Sequence, residues 1–147
     1  MRGALFNILG DVQGLDVLDA FAGSGALSFE AISRGAATAL AIELDRTAQR
    51  VIRQNIAALR LQNRVQLVGA AAGAWLQTNP QRRFNLVLCD PPYDDLQPNL
   101  LARLAQRVVP HGTFVLSWPT SQAQPHFAGK QLVHQGLYGD ASLLFFQ

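Results

Sequence analysis

The sequence predicts an α/β fold: a doubly wound, mostly parallel seven-stranded sheet that closes with an antiparallel hairpin. Three observations predict it. Short apolar runs alternate with segments of helical period from Leu15 to Ser117, the order that builds a parallel sheet through right-handed crossovers. A turn with two glycines, Gly23 and Gly25, separates the first apolar run from the helix after it. Two last runs, around Gly136 and Gly139, stand too close for a crossover, so they pair antiparallel.

Each element has a local reason. Ala4 to Leu9 has the pattern of a helix end. Leu15 to Ala20 is the first strand. Gly25 to Arg34 is a helix whose last residue suits the C-terminal dipole, with Gly35 as a left-handed stop. Thr38 to Glu43 is the second strand. Arg46 to Leu61 is a long helix with Asp45 at its N-cap. Arg64 to Val68 is the third strand, and a short helix follows from Ala71 to Leu76. Phe84 to Cys89 is a wholly apolar-patterned fourth strand. Pro98 to Val108 is a helix with proline at its first position. Gly112 to Ser117 is the fifth strand, and Lys130 to Gln135 and Ser142 to Phe146 form the closing pair.

The 147 residues suffice for one domain, 1–147, with one sizeable core. At 49% hydrophobic and 15% charged the chain is globular. No apolar run reaches membrane-spanning length, and no signal-peptide core follows Met1, so a cytoplasmic protein with no membrane partner is expected. A single cysteine, Cys89, leaves no internal disulfide, and His111, His126 and His134 lack metal-ligand spacing. No metal is expected, and a monomer is the simplest assembly. Net charge is +2, and every basic residue except Lys130 is arginine. That bias suits contacts to a polyanion, but a GC-rich genome accounts for it more readily.

Asp90-Pro91-Pro92-Tyr93 carries the most chemistry. Two prolines end the fourth strand, because neither donates to a ladder. An acid, two carbonyls and an aromatic ring therefore gather at a strand's C-terminal end, where open α/β sheets bind ligands. Such a set suits a flat group bearing an NH2. The glycine turn lacks the dinucleotide fingerprint, since Ser28 stands at its third glycine position. An acid at Asp19, four residues before Gly23, suits a ligand with a cationic end, such as S-adenosylmethionine. Glu43, 20 residues past the first glycine, is placed for ribose hydroxyls.

These stretches together resemble the class I S-adenosylmethionine-dependent methyltransferases. More narrowly, they resemble the bacterial RsmD type, which methylates a guanine N2 in small-subunit ribosomal RNA. The matching text is Arg2-Gly3-Ala4-Leu5-Phe6-Asn7, Asp19 through Leu27, Ser33-Arg34-Gly35-Ala36, Ile42-Glu43 and Asp90 through Tyr93. The resemblance implies a Rossmann-like methyltransferase fold and S-adenosyl-L-methionine as cofactor. It implies Asp19, Gly23 and Gly25 at the methionine end and Glu43 at the ribose. Phe21, Ala22, Leu44, Ala71 and Ala72 complete the cofactor-binding set. Asp90 and the Pro91 carbonyl hold the target amine, with Pro92 beside them and Tyr93 stacking on the base. The partner implied is rRNA or an assembly intermediate of the small ribosomal subunit.

Two departures stand out. Ala71 occupies the position where such families carry an acid for the adenine amine. The basic β-rich segment that normally precedes the first helix is absent from the sequence. Asp-Pro-Pro-Tyr is also shared with adenine-N6 and cytosine-N4 enzymes, so those substrates stay open, as does a non-catalytic cofactor-binding relative. Ser28, and the lack of a hydride-site His or Tyr, disfavour a nicotinamide dehydrogenase. Arg46, Arg50, Arg53 and Arg60 share a helical stripe, better read as a solvated face than as a phosphate track.

Overall fold

The computed structural model describes residues 1–147. Its elements are α1 (Arg2–Leu9), β1 (Asp16–Asp19), α2 (Ala26–Ser33), β2 (Thr38–Ile42), α3 (Arg46–Ala58), β3 (Val65–Val68), α4 (Ala72–Thr78), β4 (Phe84–Cys89), α5 (Pro98–Ala105), β5 (Val108–Pro119), β6 (Leu132–Tyr138) and β7 (Ala141–Phe146). One sheet holds all seven strands in the order β3-β2-β1-β4-β5-β7-β6. β1 to β5 pair in parallel, and β7 runs antiparallel between β5 and β6. The expected doubly wound sheet with its antiparallel closing hairpin is present.

The strand order reverses between β1 and β4, which lie side by side with Asp19 opposite Leu88. The loop after β1 and the loop after β4 therefore leave the sheet next to each other. A crevice opens between loops that diverge at such a switch point.

Strand alternation fills both faces. Leu18, Leu40, Val87, Phe114 and Leu116 pack against Leu76 of α4 and Leu101 and Leu104 of α5. Val17, Leu86, Leu88 and Val115 pack against Leu5 and Phe6 of α1 and Ala31 and Ile32 of α2. Phe127 bridges Phe114 and Phe146 edge-on, with centroids at 5.3 and 5.1 Å. Each fully buried Phe or Leu contributes about 1.5–3 kcal/mol of transfer free energy.

The helices end where local chemistry stops them. Asp45 caps α3 as expected, accepting from the Ala48 amide at 2.8 Å. Gly35, at φ 103°, follows α2. α3 ends at Ala58, before the predicted Leu61, and Arg60 turns left-handed at φ 55°. Arg60 thus leaves the helical stripe of Arg46, Arg50 and Arg53, all of which are exposed.

Other features of the strands also differ from expectation. Val108 opens β5 rather than closing α5, which stops at Ala105. The pairing slips from Phe84 opposite Val108 to Leu86 opposite Thr113, so β5 carries a bulge that the sequence disguises as a loop. Gly112 belongs there because a Cβ would lie 2.6 Å from the Asn85 carbonyl oxygen. Gly136 sits inside β6 and is not part of the hairpin turn. The Tyr138 ring lies over it, 2.8 Å from where a Cβ would stand. The turn itself is Gly139-Asp140, with Gly139 at φ 62°.

Candidate active site

The C-terminal ends of β1, β2, β3 and β4 border a cleft of about 770 Å³. Phe21, Ala22, Gly23, Glu43, Leu44, Ala71, Ala72, Asp90 and Pro92 all line it. Segments 70 residues apart thus meet at one crevice, as the sequence predicts. Gly25 and Asp19 are not on its wall. Both lie beneath the turn and shape it.

Gly23 and Gly25 do different things. Gly23 has φ 57° and open space where a Cβ would project. Gly25, at φ 82°, is the N-cap of α2, and a Cβ there would stand 2.9 Å from Phe29 Cε2 and 3.2 Å from Ile52 Cγ1. The first glycine keeps the cleft open, and the second lets α2 start against α3.

Glu43 holds the turn from the side. Its Oε1 accepts from the Gly23 amide at 2.7 Å, and its Oε2 accepts from the Asp45 amide at 2.7 Å. A carboxylate offers about four acceptor sites, so each oxygen keeps capacity toward the cleft. Gln49 supports the segment from below: its Nε2 donates to the carbonyls of Glu43 at 2.9 Å and Leu44 at 3.2 Å. Gln49 is buried, and sequence reasoning missed it. The only available signal was a polar residue on the inward side of α3.

Asp19 is buried, at 1% exposure, and its Oδ2 accepts from Ser28 Oγ at 2.7 Å. The Ser28 amide bonds to it as well. Ser28 therefore does not mark a failed fingerprint; it is the partner that holds this acid at the start of α2. Burial pushes the Asp19 carboxyl up to about 6, against the opposing pull of the Ser28 bonds, with smaller pushes from Asp90 and Glu43. An acid in this state is poised to ionise fully when a cation arrives nearby.

At the other side of the cleft, Asp90 stands at the end of β4. The residue is exposed, yet loss of hydration around its carboxyl raises it above the usual range, and Ser117 beside it pulls it back. Pro91 is buried and Pro92 is exposed. Tyr93 keeps 39% of its surface exposed, and its hydroxyl lies 2.6 Å from Ser117 Oγ. Ser117, on β5 and buried, was also missed. Cys89 is buried, and burial pushes its thiol well above the ordinary range, so it is an inert core group. Trp118 is also buried, with Nε1 donating to the Ala123 carbonyl at 3.0 Å, a packing role.

Ala71 lines the cleft at the N-cap of α4 and offers no side-chain cap. The wall there carries Gln97, Leu100 and Arg103 from the α5 side. Arg82, near the opposite sheet edge, lines a separate cavity with Thr38 and Arg64. Glu30, on α2, pairs with Arg34 at 3.8 Å and Arg2 at 4.0 Å. No group of three or more His, Cys, Asp or Glu side chains is arranged to hold a metal ion. No helix is long and apolar enough to cross a membrane.

The donor set suits a ligand with a cationic end, vicinal hydroxyls and an apolar disc. The open backbone at Gly23, the carboxylate of Glu43 and Leu44, an apolar side chain 68% exposed, line the cleft, and Asp19 lies buried beneath the glycine turn. The family described as Conserved hypothetical protein 95 matches residues 1–147. The chain belongs to this family, the RsmD-type methyltransferases. Ribosomal RNA small subunit methyltransferase D of Escherichia coli K12 is 40% identical over 94 residues, 63% of this chain and 46% of that protein. The tRNA1(Val) (adenine(37)-N6)-methyltransferase of Shewanella halifaxensis is 38% identical over 82 residues, 56% of this chain and 33% of that protein. A conserved hypothetical protein of Streptococcus pyogenes superposes with a TM-score of 0.90 at 32% identity, covering 99% of this chain and 94% of that one. The matches thus span a third to a half of the curated relatives' length. The RsmD-type family and the α/β architecture of this member agree with the resemblance carried by its motifs.

Proposed function

We propose that this RsmD-type family member transfers a methyl group from S-adenosylmethionine to the exocyclic N2 of a guanine in small-subunit rRNA. One observation carries the proposal: Gly23, Glu43 and Asp90 line a single cleft at the β1/β4 switch point. The curated relatives named as small-subunit rRNA methyltransferases support the substrate class.

S-adenosylmethionine, when bound, supplies an electrophilic methyl on a sulfonium. Asp19, held by Ser28, complements the cationic end from beneath. Glu43 accepts from the ribose hydroxyls with the lone pairs left free by Gly23 and Asp45. Leu44 would offer an apolar surface to the adenine, and Ala71 and Ala72 would offer backbone groups to it.

Asp90 and the Pro91 carbonyl accept from the acceptor amine. The amine lone pair is delocalised into the base. Two acceptors on its hydrogens favour a more tetrahedral nitrogen, with the lone pair aimed along the line of displacement. Orientation of this kind is worth up to about 7–11 kcal/mol in favourable systems. Once the nitrogen carries the methyl it is cationic, and it loses a proton readily. The upward-shifted Asp90 carboxylate is a suitable first acceptor. Tyr93 stacks on the base, which must reach it unstacked or single-stranded.

An adenine-N6 acceptor is the second possibility, favoured by the likeness to the Shewanella tRNA enzyme. Labelled methyl donor is incubated with small subunits, assembly intermediates, naked rRNA, tRNA and DNA, and the nucleosides are then separated. Label in N2-methylguanosine from rRNA or the particle is expected. Label in N6-methyladenosine alone overturns the guanine assignment.

A further inference from the structure

Ser117 is a buried serine on β5, at 3% exposure, and it meets both ends of the Asp90-Pro91-Pro92-Tyr93 segment. Its Oγ lies 2.6 Å from the Tyr93 hydroxyl, and it lines one small cavity together with Asp90, whose carboxyl it pulls downward. We propose that Ser117 is a positioning residue for the acceptor base, because its hydroxyl ties the Tyr93 ring and the Asp90 carboxylate into one frame. The proposal rests on the methyl-transfer function assigned to this cleft.

Hydrogen-bond direction follows from proton count. An ionised carboxylate only accepts, so Ser117 donates to Asp90. A serine has one proton, so toward Tyr93 it accepts, and the tyrosine donates. With Asp90 ionised, the favoured order of donation is Tyr93 to Ser117 to Asp90. It has two consequences. First, the Tyr93 ring, otherwise on an exposed loop, is pinned at its far end to the central sheet. A ring fixed at both ends keeps its long axis in one place, within reach of an incoming base. Second, one acceptor site of Asp90 is occupied from behind, which orients its remaining lone pairs toward the cleft.

Ser117 reaches this place by register. Cys89 pairs with Leu116 across β4 and β5, so the residue after each stands at the same sheet edge. Asp90 and Ser117 are those residues. The residue opposite Ser117 on β7 is Leu143, which offers no competing polar side chain. No buried side-chain polar atom lacks a partner, and for Ser117 that partner is the Tyr93 hydroxyl.

The test uses Ser117→Ala, Tyr93→Phe and the double variant of the full chain. Methyl transfer, S-adenosylhomocysteine affinity and the 13C titration of the Asp90 carboxyl are read in each. Expected for Ser117→Ala is roughly a tenfold loss in kcat/KM for the acceptor, in line with one lost bond to a charged group. The S-adenosylhomocysteine Kd stays within twofold, and the Asp90 titration moves upward. Tyr93→Phe, which removes only a partly exposed hydroxyl, lowers the same parameter. The double variant is no worse than the weaker single one. Additive losses, an unchanged acceptor kcat/KM or an unmoved Asp90 titration in Ser117→Ala would overturn the positioning role. Wild-type protein inert toward every acceptor would overturn methyl transfer instead, and the Asp90 titration would still judge Ser117.

Discussion

Glu43 and Gly23 are joined at 2.7 Å, carboxylate to amide, across 20 residues of sequence. The contact fixes the glycine turn against the end of β2. One acid thus shapes the cleft wall and faces the cleft at the same time. Its removal should therefore have two separable effects.

Glu43→Ala is expected to weaken S-adenosylhomocysteine binding at least tenfold. It should also destabilise the fold by about 1–3 kcal/mol, because two backbone amides lose their acceptor. Glu43→Gln forces an NH2 against one of those amides, so it should also lose stability. Calorimetric titration and denaturant melts check both. Unchanged affinity in Glu43→Ala would remove the ribose role.

Asp19 makes ligand binding depend on pH. Its folded carboxyl titrates near 6, against 3.8 for the free side chain. The folded state therefore holds the proton more tightly than the unfolded state. Stability falls as pH rises from about 4 to about 6 and then levels, a loss of about 3 kcal/mol at pH 7. A cationic ligand near Asp19 favours its ionised form, so binding below pH 6 releases a proton and weakens as pH falls. Titrations at pH 5 and 7.5, in buffers of different ionisation enthalpy, should show that release. Asp19→Asn should raise the melting temperature at pH 7.5 and abolish the proton release.

The sheet and the strand-end side of the cleft wall were legible in the sequence, because period and turn chemistry leave a pattern, whereas Asp95, Gln97, Leu100 and Arg103 on its α5 side were not. Strand alternation brought Gly23, Glu43 and Asp90 to one edge without any knowledge of side-chain contacts. The props behind them were not legible. Ser28 reaches Asp19, Gln49 reaches the Glu43 carbonyl and Ser117 reaches Tyr93 through single hydrogen bonds. A buried hydroxyl or amide has no periodic signature, and its partner is set by register. The bulge in β5 failed for the same reason: Gly112 looks like a turn until the Asn85 carbonyl is beside it.

The two turn glycines should respond differently to alanine. Gly25→Ala adds a Cβ 2.9 Å from the Phe29 ring to a left-handed backbone cost. Together these should destabilise by about 2–4 kcal/mol. Gly23→Ala meets no atom within 4 Å, so only the backbone cost of about 1–2 kcal/mol applies. Its methyl instead projects beside the cleft, so it should lower cofactor affinity more than it lowers stability. Chemical melts and ligand titrations on both variants separate the cases. Equal stability losses would contradict the packing difference.

Asp90→Ala isolates the acceptor half of the site. Asp90 ends β4 and is joined to Ser117, while the Gly23 turn and Glu43 are held by contacts that do not include it. Deleting its carboxylate should therefore leave S-adenosylhomocysteine affinity within a few-fold of wild type. Methyl transfer should fall by at least 100-fold, since an amine acceptor worth about 3 kcal/mol in the transition state is lost. Asp90→Asn keeps one acceptor oxygen but loses the charge, and should fall between the two. Single-turnover rates at saturating cofactor make the comparison. Wild-type turnover in Asp90→Ala would show that the amine is held by other groups.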